Sequence, residues 1–233
     1  MRTEPELTAV IPTLNAAAGL AATLAALAGQ VDAVILADGG STDATRAVAE
    51  AAGARVIDAP RGRGSQIAAG VAAAATPWVL VLHADTRPGP GWRAAAAAFM
   101  ADPAQAGRAA YFRFALDDAA PQARRLERAV AWRCRALGLP YGDQGLLVRR
   151  DTLAAAGGFR SIPIMEDVDL VRRLGRARLV ALEAAFVTSA ARWRAQGWWR
   201  RSARNLSCLA LWFLGVPPAR IARLYAGRRR APD

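Results

Sequence analysis

Short apolar runs alternate with alanine-rich stretches through the first half of the chain. Each run is short enough for a strand, and each alanine-rich stretch is long enough for a helix. The predicted strands and helices cover, respectively, residues 7–11, 31–36, 55–57 and 78–82, and residues 16–28, 43–52, 65–75 and 92–101. Because strands that alternate with helices build parallel sheets covered on both faces, this half is predicted to be α/β.

The second half of the chain departs from this alternation and mixes strands with longer helices. Strands are predicted at residues 111–116 and 146–148, and helices at residues 121–137 and 166–174. The helix at 121–137 is amphipathic, since its apolar residues recur at helical spacing. Proline and glycine residues at 88–91 mark a loop after the fourth strand.

The junction after the second predicted strand is the most informative segment of the chain. The apolar run 34–36 gives way to Asp38, Gly39, Gly40, Ser41, Thr42 and Asp43. Open α/β sheets bind ligands at the carboxyl ends of their strands, so Asp38 is expected at that edge. The glycines permit a tight turn, and Ser41 or Thr42 is expected to cap the next helix. An ordinary strand–turn–helix junction shares this pattern, so the functional interpretation needs support from other segments.

The length and composition predict one domain, or one domain with an appendage, with a strong positive net charge. The chain has 233 residues, of which 54% are hydrophobic, and a formal net charge of +12. Every basic residue is arginine, and such an excess attracts anions. Nucleotide diphosphates, phospholipid head groups and nucleic acid are therefore candidate partners. Cys134 and Cys208 form no metal-type or redox-type pair, which predicts a reduced, cytoplasmic compartment.

Residues 192–230 are rich in arginine and tryptophan and contain no acidic residue. This mixture, with the apolar run at 206–216, is typical of a helix at a membrane surface. It is equally typical of a C-terminal helix that packs its apolar side on the domain. We therefore expect one domain at 1–190 and a basic, tryptophan-rich helical extension at 191–233. No apolar run approaches the roughly 18 residues needed to span a bilayer.

Acidic residues follow two strands of the predicted sheet and open a later helix. Asp38 ends the second strand, Asp85 follows the fourth, and Glu166 and Asp167 begin the helix at 166–174. Since the carboxyl ends of parallel strands meet at one edge, Asp38 and Asp85 are expected to converge there. A carboxylate in such a place suits a hard cation beside a phosphate.

Four blocks of sequence, in this order, resemble the family-2 glycosyltransferases of the GT-A type. The blocks are Val10–Asn15, Ala37–Asp43, His83–Asp85 and Glu166–Asp167. The segments Gly142–Gly145 and Arg192–Trp193 further resemble a small bacterial subgroup with single-domain members. The resemblance implies a mainly parallel central sheet flanked by helices, with a Rossmann-like nucleotide-binding half and a helical C-terminal extension.

The resemblance also implies an inverting, metal-assisted transfer from a nucleotide-diphosphate sugar to a hydroxyl or phosphate acceptor. Asp167 is the expected general base, with Glu166 beside it, and Asp85 is the expected ligand of Mg²⁺ or Mn²⁺. The implied nucleotide-sugar contacts are Pro12, Thr13, Asn15, Asp38, Gly40, Arg63, Ala84 and Asp85. The implied acceptor-side residues are Gly142, Asp143, Gln144, Arg192 and Trp193.

Two positions depart from the family's pattern. The family often has a second acid where this chain has Gly39, so nucleotide contacts there depend more on Asp38. His83 replaces the first acid of the family's Asp-x-Asp motif, and it is a metal ligand, a diphosphate donor or a polar strand end. The roles of the segment 61–66 and of Asp143 each have two possible interpretations. The loop 61–66 meets phosphate or is a solvated basic loop, and Asp143 contacts a substrate or belongs to a turn.

The expected donor is a UDP-sugar, since that is the commonest donor for such folds, with GDP- and dTDP-sugars as the alternatives. The acceptor is a lipid-linked glycan, a polyprenyl phosphate or a small metabolite, and residues 192–230 can make a peripheral contact at the inner membrane face. Two other classes of protein compete with this interpretation. A nucleotidyltransferase would want a glycine-rich, basic loop after the first strand, where this chain has Pro12–Asn15. A non-catalytic basic protein with a degenerate fold would bind nucleic acid or membranes, and no specific nucleic acid is expected.

Overall fold

The computed structural model describes residues 7–226. Eight strands are described, numbered in chain order: β1 Leu7–Thr13, β2 Ala33–Asp38, β3 Arg55–Asp58, β4 Trp78–Val81, β5 Thr86–Pro88, β6 Ala109–Leu116, β7 Leu146–Arg149 and β8 Leu179–Thr188. The α-helices of the described residues are α1 Ala17–Leu27, α2 Thr45–Ala51, α3 Arg63–Ala73, α4 Trp92–Ala101, α5 Pro121–Leu137, α6 Arg150–Ala155, α7 Glu166–Leu174, α8 Ala191–Gln196, α9 Trp198–Phe213 and α10 Pro218–Ala226.

The eight strands form one sheet in the order β3-β2-β1-β4-β7-β6-β8-β5. The first four are parallel to their neighbours, whereas β7 runs antiparallel to both β4 and β6. The register pairs Thr13 of β1 with Asp38 of β2, so both strands end at the same edge. This arrangement places the loops after β1, β2 and β4 together at the ligand-binding edge of the sheet.

The parallel strands bury both faces, and their residues alternate between two apolar layers. Leu7, Ile11 and Leu36 face one layer, in which α1 and α4 also pack, whereas Val10 and Ile35 face the layer that α3 and α7 cover. The period-two alternation of a strand produces this division. It explains why these strands read as continuous apolar runs in the sequence.

The predicted strand and helix boundaries agree with the structure to within two residues for each element that the periodicity indicated. Three elements were missed: β5, α6 and β8. β8 pairs in parallel with β6, with a shift of register between Phe112 and Arg113, and its alanine-rich sequence gives a weak strand signal. β5 is a three-residue strand that ends at Pro88, where the sequence predicted only a loop.

The C-terminal helices pack on the domain through part of their surface. Cys208 and Leu209 of α9 and Ile221 of α10 are buried against Met165 and Val168 at the start of α7. No helix among residues 7–226 is long and apolar enough to cross a membrane. Residues 227–233, which complete the predicted extension, lie outside the described residues.

Candidate active site

Asp38 lies at the end of β2 with its carboxylate buried and fully engaged. It accepts hydrogen bonds from the Thr13 hydroxyl at 3.0 Å, from the Ser41 hydroxyl and backbone amide, and from the Gly40 amide at 3.2 Å. Gly40 has a φ of +89°, which is accessible to glycine at little cost. The predicted nucleotide residues Thr13, Asp38 and Gly40 therefore also hold together the loop that would receive the nucleotide.

The expectation that Ser41 or Thr42 caps the second helix was wrong. α2 begins at Thr45 without a side-chain cap. The Ser41 hydroxyl instead donates to the Asp38 carboxylate and accepts from the backbone amide of Asn15. The side-chain oxygen of Asn15 accepts from the backbone amide of Thr42. These bonds join the loops after β1 and β2, with Asn15 on the exposed side.

Asp38→Asn should lower stability in a pH-dependent way. Burial alone would raise the pKa of Asp38, but the hydrogen bonds from Ser41, Thr13 and Gly40 bring it below the ordinary 3.8. The ionised form is thus stabilised by folding, an effect present above about pH 4 and lost as the pH falls through the folded-state pKa. We expect a loss of roughly 1–3 kcal/mol in the free energy of unfolding at pH 7.

Urea denaturation of the wild type and of Asp38→Asn between pH 3 and pH 7 measures this effect. Glu50→Gln is the matched control, because it removes an exposed carboxylate from the neighbouring helix α2. A destabilisation that stays the same from pH 7 to pH 3 would contradict a role for the Asp38 charge in folding.

The Gln66 side chain packs directly against Gly39, where the family often has a second acid. A Cβ atom at Gly39 would lie 3.0 Å from the Gln66 carboxamide. That carboxamide donates to the carbonyl oxygens of Thr13 and Ala37 at 2.6 and 2.9 Å and accepts from the Gly62 amide. The expectation of a loop over 61–66 was wrong for residues 63–66, because α3 begins at Arg63, and Gln66 anchors the start of this helix to the ends of β1 and β2. Phosphate binding by this segment stays a prediction.

A cavity opens beside this edge, between the sheet and the C-terminal helices. Its lining combines acidic, basic and aromatic side chains with a few apolar ones. The lining residues are Arg63, His83, Asp85, Tyr141, Asp143, Ile164, Met165, Asp167, Thr188, Arg192, Trp193, Arg201, Asn205, Cys208 and Tyr225. The cavity therefore brings together the predicted base, the predicted metal ligands and part of the predicted acceptor side.

Asp167 is fixed in the cavity wall by two backbone amides. Its carboxylate accepts from the Gly142 amide at 2.9 Å and from the Val168 amide at 2.8 Å. Met165, two residues before it, has a φ of +65°, a conformation that costs about 1–3 kcal/mol for a non-glycine residue. This turn lies directly before the start of α7, and of its first two residues only Asp167 lines the cavity.

Glu166 does not line the cavity; its side chain is only 1% exposed and pairs with Arg63 at 2.8 Å. Burial raises the pKa of Glu166 to about 7, against the lowering effect of Arg63. Burial would also lower the pKa of Arg63, but Glu166 and Asp167 raise it above its ordinary value. The pair thus holds a guanidinium at the cavity wall, and Glu166 is suited to position Arg63.

His83 and Gly142 pack against each other in a way that requires glycine. A Cβ atom at residue 142 would lie 2.5 Å from the His83 Nε2 atom. Burial and the Arg63 charge lower the pKa of His83 to about 4, although Asp85 and Asp167 act in the opposite direction. The imidazole is thus neutral at pH 7 and keeps one nitrogen able to accept a hydrogen bond or bind a metal.

The turn at 142–144 divides its side chains between the cavity and the core. Gln144 is buried behind the cavity, where it donates to the Phe112 carbonyl at 3.1 Å and accepts from Arg133 and from the Tyr141 amide. Asp143 lines the cavity, and its Oδ1 atom is buried without a hydrogen-bond partner. Burial raises the pKa of Asp143 to about 6, despite the charge of Arg133.

The remaining predicted residues lie outside the cavity. Pro12, Thr13, Asn15, Asp38 and Gly40 form the neighbouring edge at β1 and β2, while Ala84 is buried with its carbonyl accepting from Thr23.

The sequence predictions missed several residues of the cavity. Tyr141, Arg201, Asn205 and Tyr225 all line it, and three of these four come from α9 and α10. The arginine-rich composition of the extension indicated an anion-binding surface without indicating which arginine faces inward. Only the position of Tyr141 beside the Gly142–Gly145 segment could have indicated a cavity residue.

The sequence model of the family described as "Glycosyl transferase family 2" matches residues 8–153, which is more than half of the chain. The chain therefore belongs to glycosyl transferase family 2 and has the GT-A fold. Uncharacterized glycosyltransferases of Mycobacterium bovis and Mycobacterium tuberculosis are 46% identical over 80 residues, which cover 34% of this chain. The match spans 36% of the length of those relatives.

Solved structures of glucosyl-3-phosphoglycerate synthase from Mycobacterium tuberculosis share the fold. One complex holds Mn²⁺, UDP and glucosyl-3-phosphoglycerate, with 22% identity, a TM-score of 0.56, and coverage of 78% of this chain and 70% of that one. A second holds Mn²⁺, UDP-glucose and glycerol 3-phosphate, with 22% identity, a TM-score of 0.55 and the same coverage. At this identity the likeness concerns the fold.

Proposed function

We propose that this glycosyltransferase moves a sugar from a UDP-sugar to an acceptor hydroxyl, with inversion at the anomeric carbon. The observation that carries the proposal is the single cavity lined by Asp85, Asp167 and Arg63 at the carboxyl edge of the sheet. These side chains supply a cation ligand, a proton acceptor and an anion partner within one cavity. The UDP-bearing complexes of the structural neighbours support this choice of donor.

The donor would extend from the loops after β1 and β2 into the cavity. Thr13, Asn15 and Asp38 border the first part, where the nucleotide would lie. Arg63, held by Glu166, faces the second part, where the diphosphate would lie. An arginine that is already fixed by an ion pair loses little freedom on binding, and guanidinium groups bind phosphate oxygens in a bidentate manner.

The donor set fits Mg²⁺ or Mn²⁺. Asp85 supplies a carboxylate and His83 a neutral imidazole at the cavity wall. Among the described residues no group of three acidic, histidine or cysteine side chains lies close enough to form a complete cage. Mg²⁺ in particular is commonly held by one or two carboxylates together with substrate phosphates and water. When bound, the ion would offset the charge that develops on the departing diphosphate.

Asp167 would act on the acceptor. The acceptor oxygen attacks the anomeric carbon, the bond from that carbon to the diphosphate oxygen breaks, and the acceptor proton passes to Asp167. UDP leaves with the electron pair of the broken bond, and Arg63 stabilises its charge. The Gly142 and Val168 amides hold the carboxylate in place, so that little reorganisation is needed during the step.

A peripheral membrane contact through residues 192–230 is also proposed, with a cytoplasmic location. It is supported by exposed apolar side chains at the end of α9 and on α10, since Phe213, Leu214 directly after α9, and Leu224 are 50%, 78% and 59% exposed. Arginines on the same helices suit anionic head groups.

A thermal-unfolding panel tests the proposed donor. We expect UDP and UDP-glucose to raise the melting temperature in Mn²⁺ more than the other nucleotide diphosphates do, because a ligand stabilises the state that binds it. The rise should fall in EDTA. Equal shifts for every nucleotide, with and without Mn²⁺, would contradict both the donor and the metal, and would favour a general anion-binding role.

A further inference from the structure

A large apolar groove lies between α5 and α9. Its volume is about 520 Å³, within the roughly 300–1,000 Å³ that is typical of small-molecule sites. Four large apolar side chains in its lining are strongly exposed: Trp132 at 60%, Leu137 at 51%, Trp199 at 77% and Leu206 at 63%. Contiguous exposed apolar surface of this kind marks a place that binds a partner or a ligand.

The groove adjoins the catalytic cavity. Tyr141, Asp143, Trp193 and Asn205 line both spaces. The groove thus has an apolar outer part that faces solvent and a polar inner end beside the proposed base. At this inner end the Asp143 Oδ1, Trp193 Nε1 and Asn205 Oδ1 atoms are buried without a hydrogen-bond partner. Buried polar atoms that lack partners are expensive, which indicates that a polar ligand group meets them.

Arg201 adds a positive charge in the wall of the adjoining catalytic cavity. Only 6% of the surface of Arg201 is exposed. Its guanidinium donates hydrogen bonds to the Gln196 side chain and to the Tyr225 hydroxyl. Within residues 7–226 no carboxylate lies at ion-pair distance from it, and its Nε atom has no hydrogen-bond partner. A buried cation without a counter-ion, in the wall of a cavity, is suited to bind an anion.

We propose that the acceptor is an amphiphile with one hydrocarbon chain and an anionic, hydroxyl-bearing head group. The chain lies in the α5–α9 groove, the anionic group lies beside Arg201, and the hydroxyl reaches Asp167. This assignment rests on the proposed function, to which it adds the class of acceptor.

The geometry favours a ligand chain over the other occupants of an apolar surface. The groove is recessed and its inner end lies beside the reaction cavity. A ligand bound in the groove would therefore have its inner end close to the proposed base. A second copy of the protein or a membrane would cover the exposed tryptophan and leucine side chains, but neither needs the buried polar groups or the Arg201 charge. A single amphiphile accounts for both sets of residues.

Two probes with the same head group test the proposal: 1-oleoyl-glycerol 3-phosphate, used below its micellar concentration, and glycerol 3-phosphate. Binding is followed by calorimetry and by the fluorescence of the groove tryptophans. We expect the oleoyl probe to bind at least about 10-fold more tightly, because its chain leaves water. The contribution of the hydrocarbon chain is measured as the affinity for the oleoyl probe divided by the affinity for glycerol 3-phosphate.

Leu206→Glu should bring that ratio close to one, because it places a charge in the groove. Leu224→Glu is the matched control, since Leu224 is 59% exposed, as against 63% for Leu206, but does not line the groove. Arg201→Gln should weaken binding of both probes and leave the ratio high. Arg192→Gln, at an exposed position of the same cavity, gives a second test of the charge if Arg201→Gln fails to fold.

Three results would overturn the proposal. A ratio near one in the wild type would show that the acceptor has no tail site. An equal loss of the ratio in Leu206→Glu and Leu224→Glu would indicate adsorption to a general apolar surface. A wild-type dimer that Leu206→Glu dissociates in sedimentation experiments would assign the groove to a second copy. UDP binding in Mn²⁺, measured on the same preparations, is separate: its absence would refute the proposed function and not the groove.

Discussion

Asp167→Asn should lower the rate of sugar transfer by roughly 10²–10⁴-fold, the usual contribution of a general base. The asparagine side chain has the same shape and can still accept the amide hydrogen bond from Gly142, but it cannot take the acceptor proton. UDP-glucose affinity should remain unchanged, because the proposed donor contacts are made by other residues. The measurement is the release of UDP from UDP-glucose, with water or glycerol 3-phosphate as the acceptor.

Asp151→Asn is the control for the loss of a carboxylate, since Asp151 has a side chain that is 63% exposed on α6 and does not line the cavity. It should retain wild-type activity. Undiminished turnover by Asp167→Asn, with donor binding intact, would remove Asp167 as the base. A loss of donor binding would instead show that Asp167 holds the diphosphate or the metal.

Asp85→Ala should have its main effect on metal-dependent donor binding. We expect UDP affinity in Mn²⁺ to fall by at least about 10-fold, because even residues that only support a metal ligand contribute 10- to 100-fold to metal affinity. In EDTA the wild type and the variant should bind UDP alike. Isothermal titration of UDP, with and without Mn²⁺, measures both quantities.

Asp58→Ala removes an exposed carboxylate at the neighbouring end of β3 and serves as the control for general charge. It should keep the full effect of Mn²⁺. If Asp85→Ala also kept that effect, Asp85 would not be a metal ligand, and the diphosphate would depend on arginines such as Arg63.

The parallel half of the sheet was predictable because each of its strands is buried on both faces. Such strands appear in the sequence as short apolar runs, and the alanine-rich stretches between them are recognisable as helices. The same strand pattern predicted that Asp38 and Asp85 lie at one edge of the sheet. β8 could not be predicted from a comparable signal, since its pairing with β6 joins residues far apart in the chain and most of its side chains are only partly buried.

The candidate site was predictable in its acidic residues and not in its supporting contacts. Asp85 and Asp167 both line the cavity, as the motifs indicated. The ion pair between Glu166 and Arg63 depends on a tight turn at Met165, for which the sequence offers no glycine or asparagine signal. Arg201 faces the cavity only because α9 folds back over it, and nothing in an arginine-rich helix indicates which side chain will be buried.

The central claim is that Asp85 and Asp167 face one nucleotide-sugar site. Crystals grown with UDP and Mn²⁺, with data recorded at an energy where manganese scatters anomalously, test it most directly. The account predicts an anomalous peak at the Asp85 carboxylate, with the UDP diphosphate between that peak and Arg63. Clear UDP density with the manganese peak elsewhere, or with no peak at Asp85, would contradict the account.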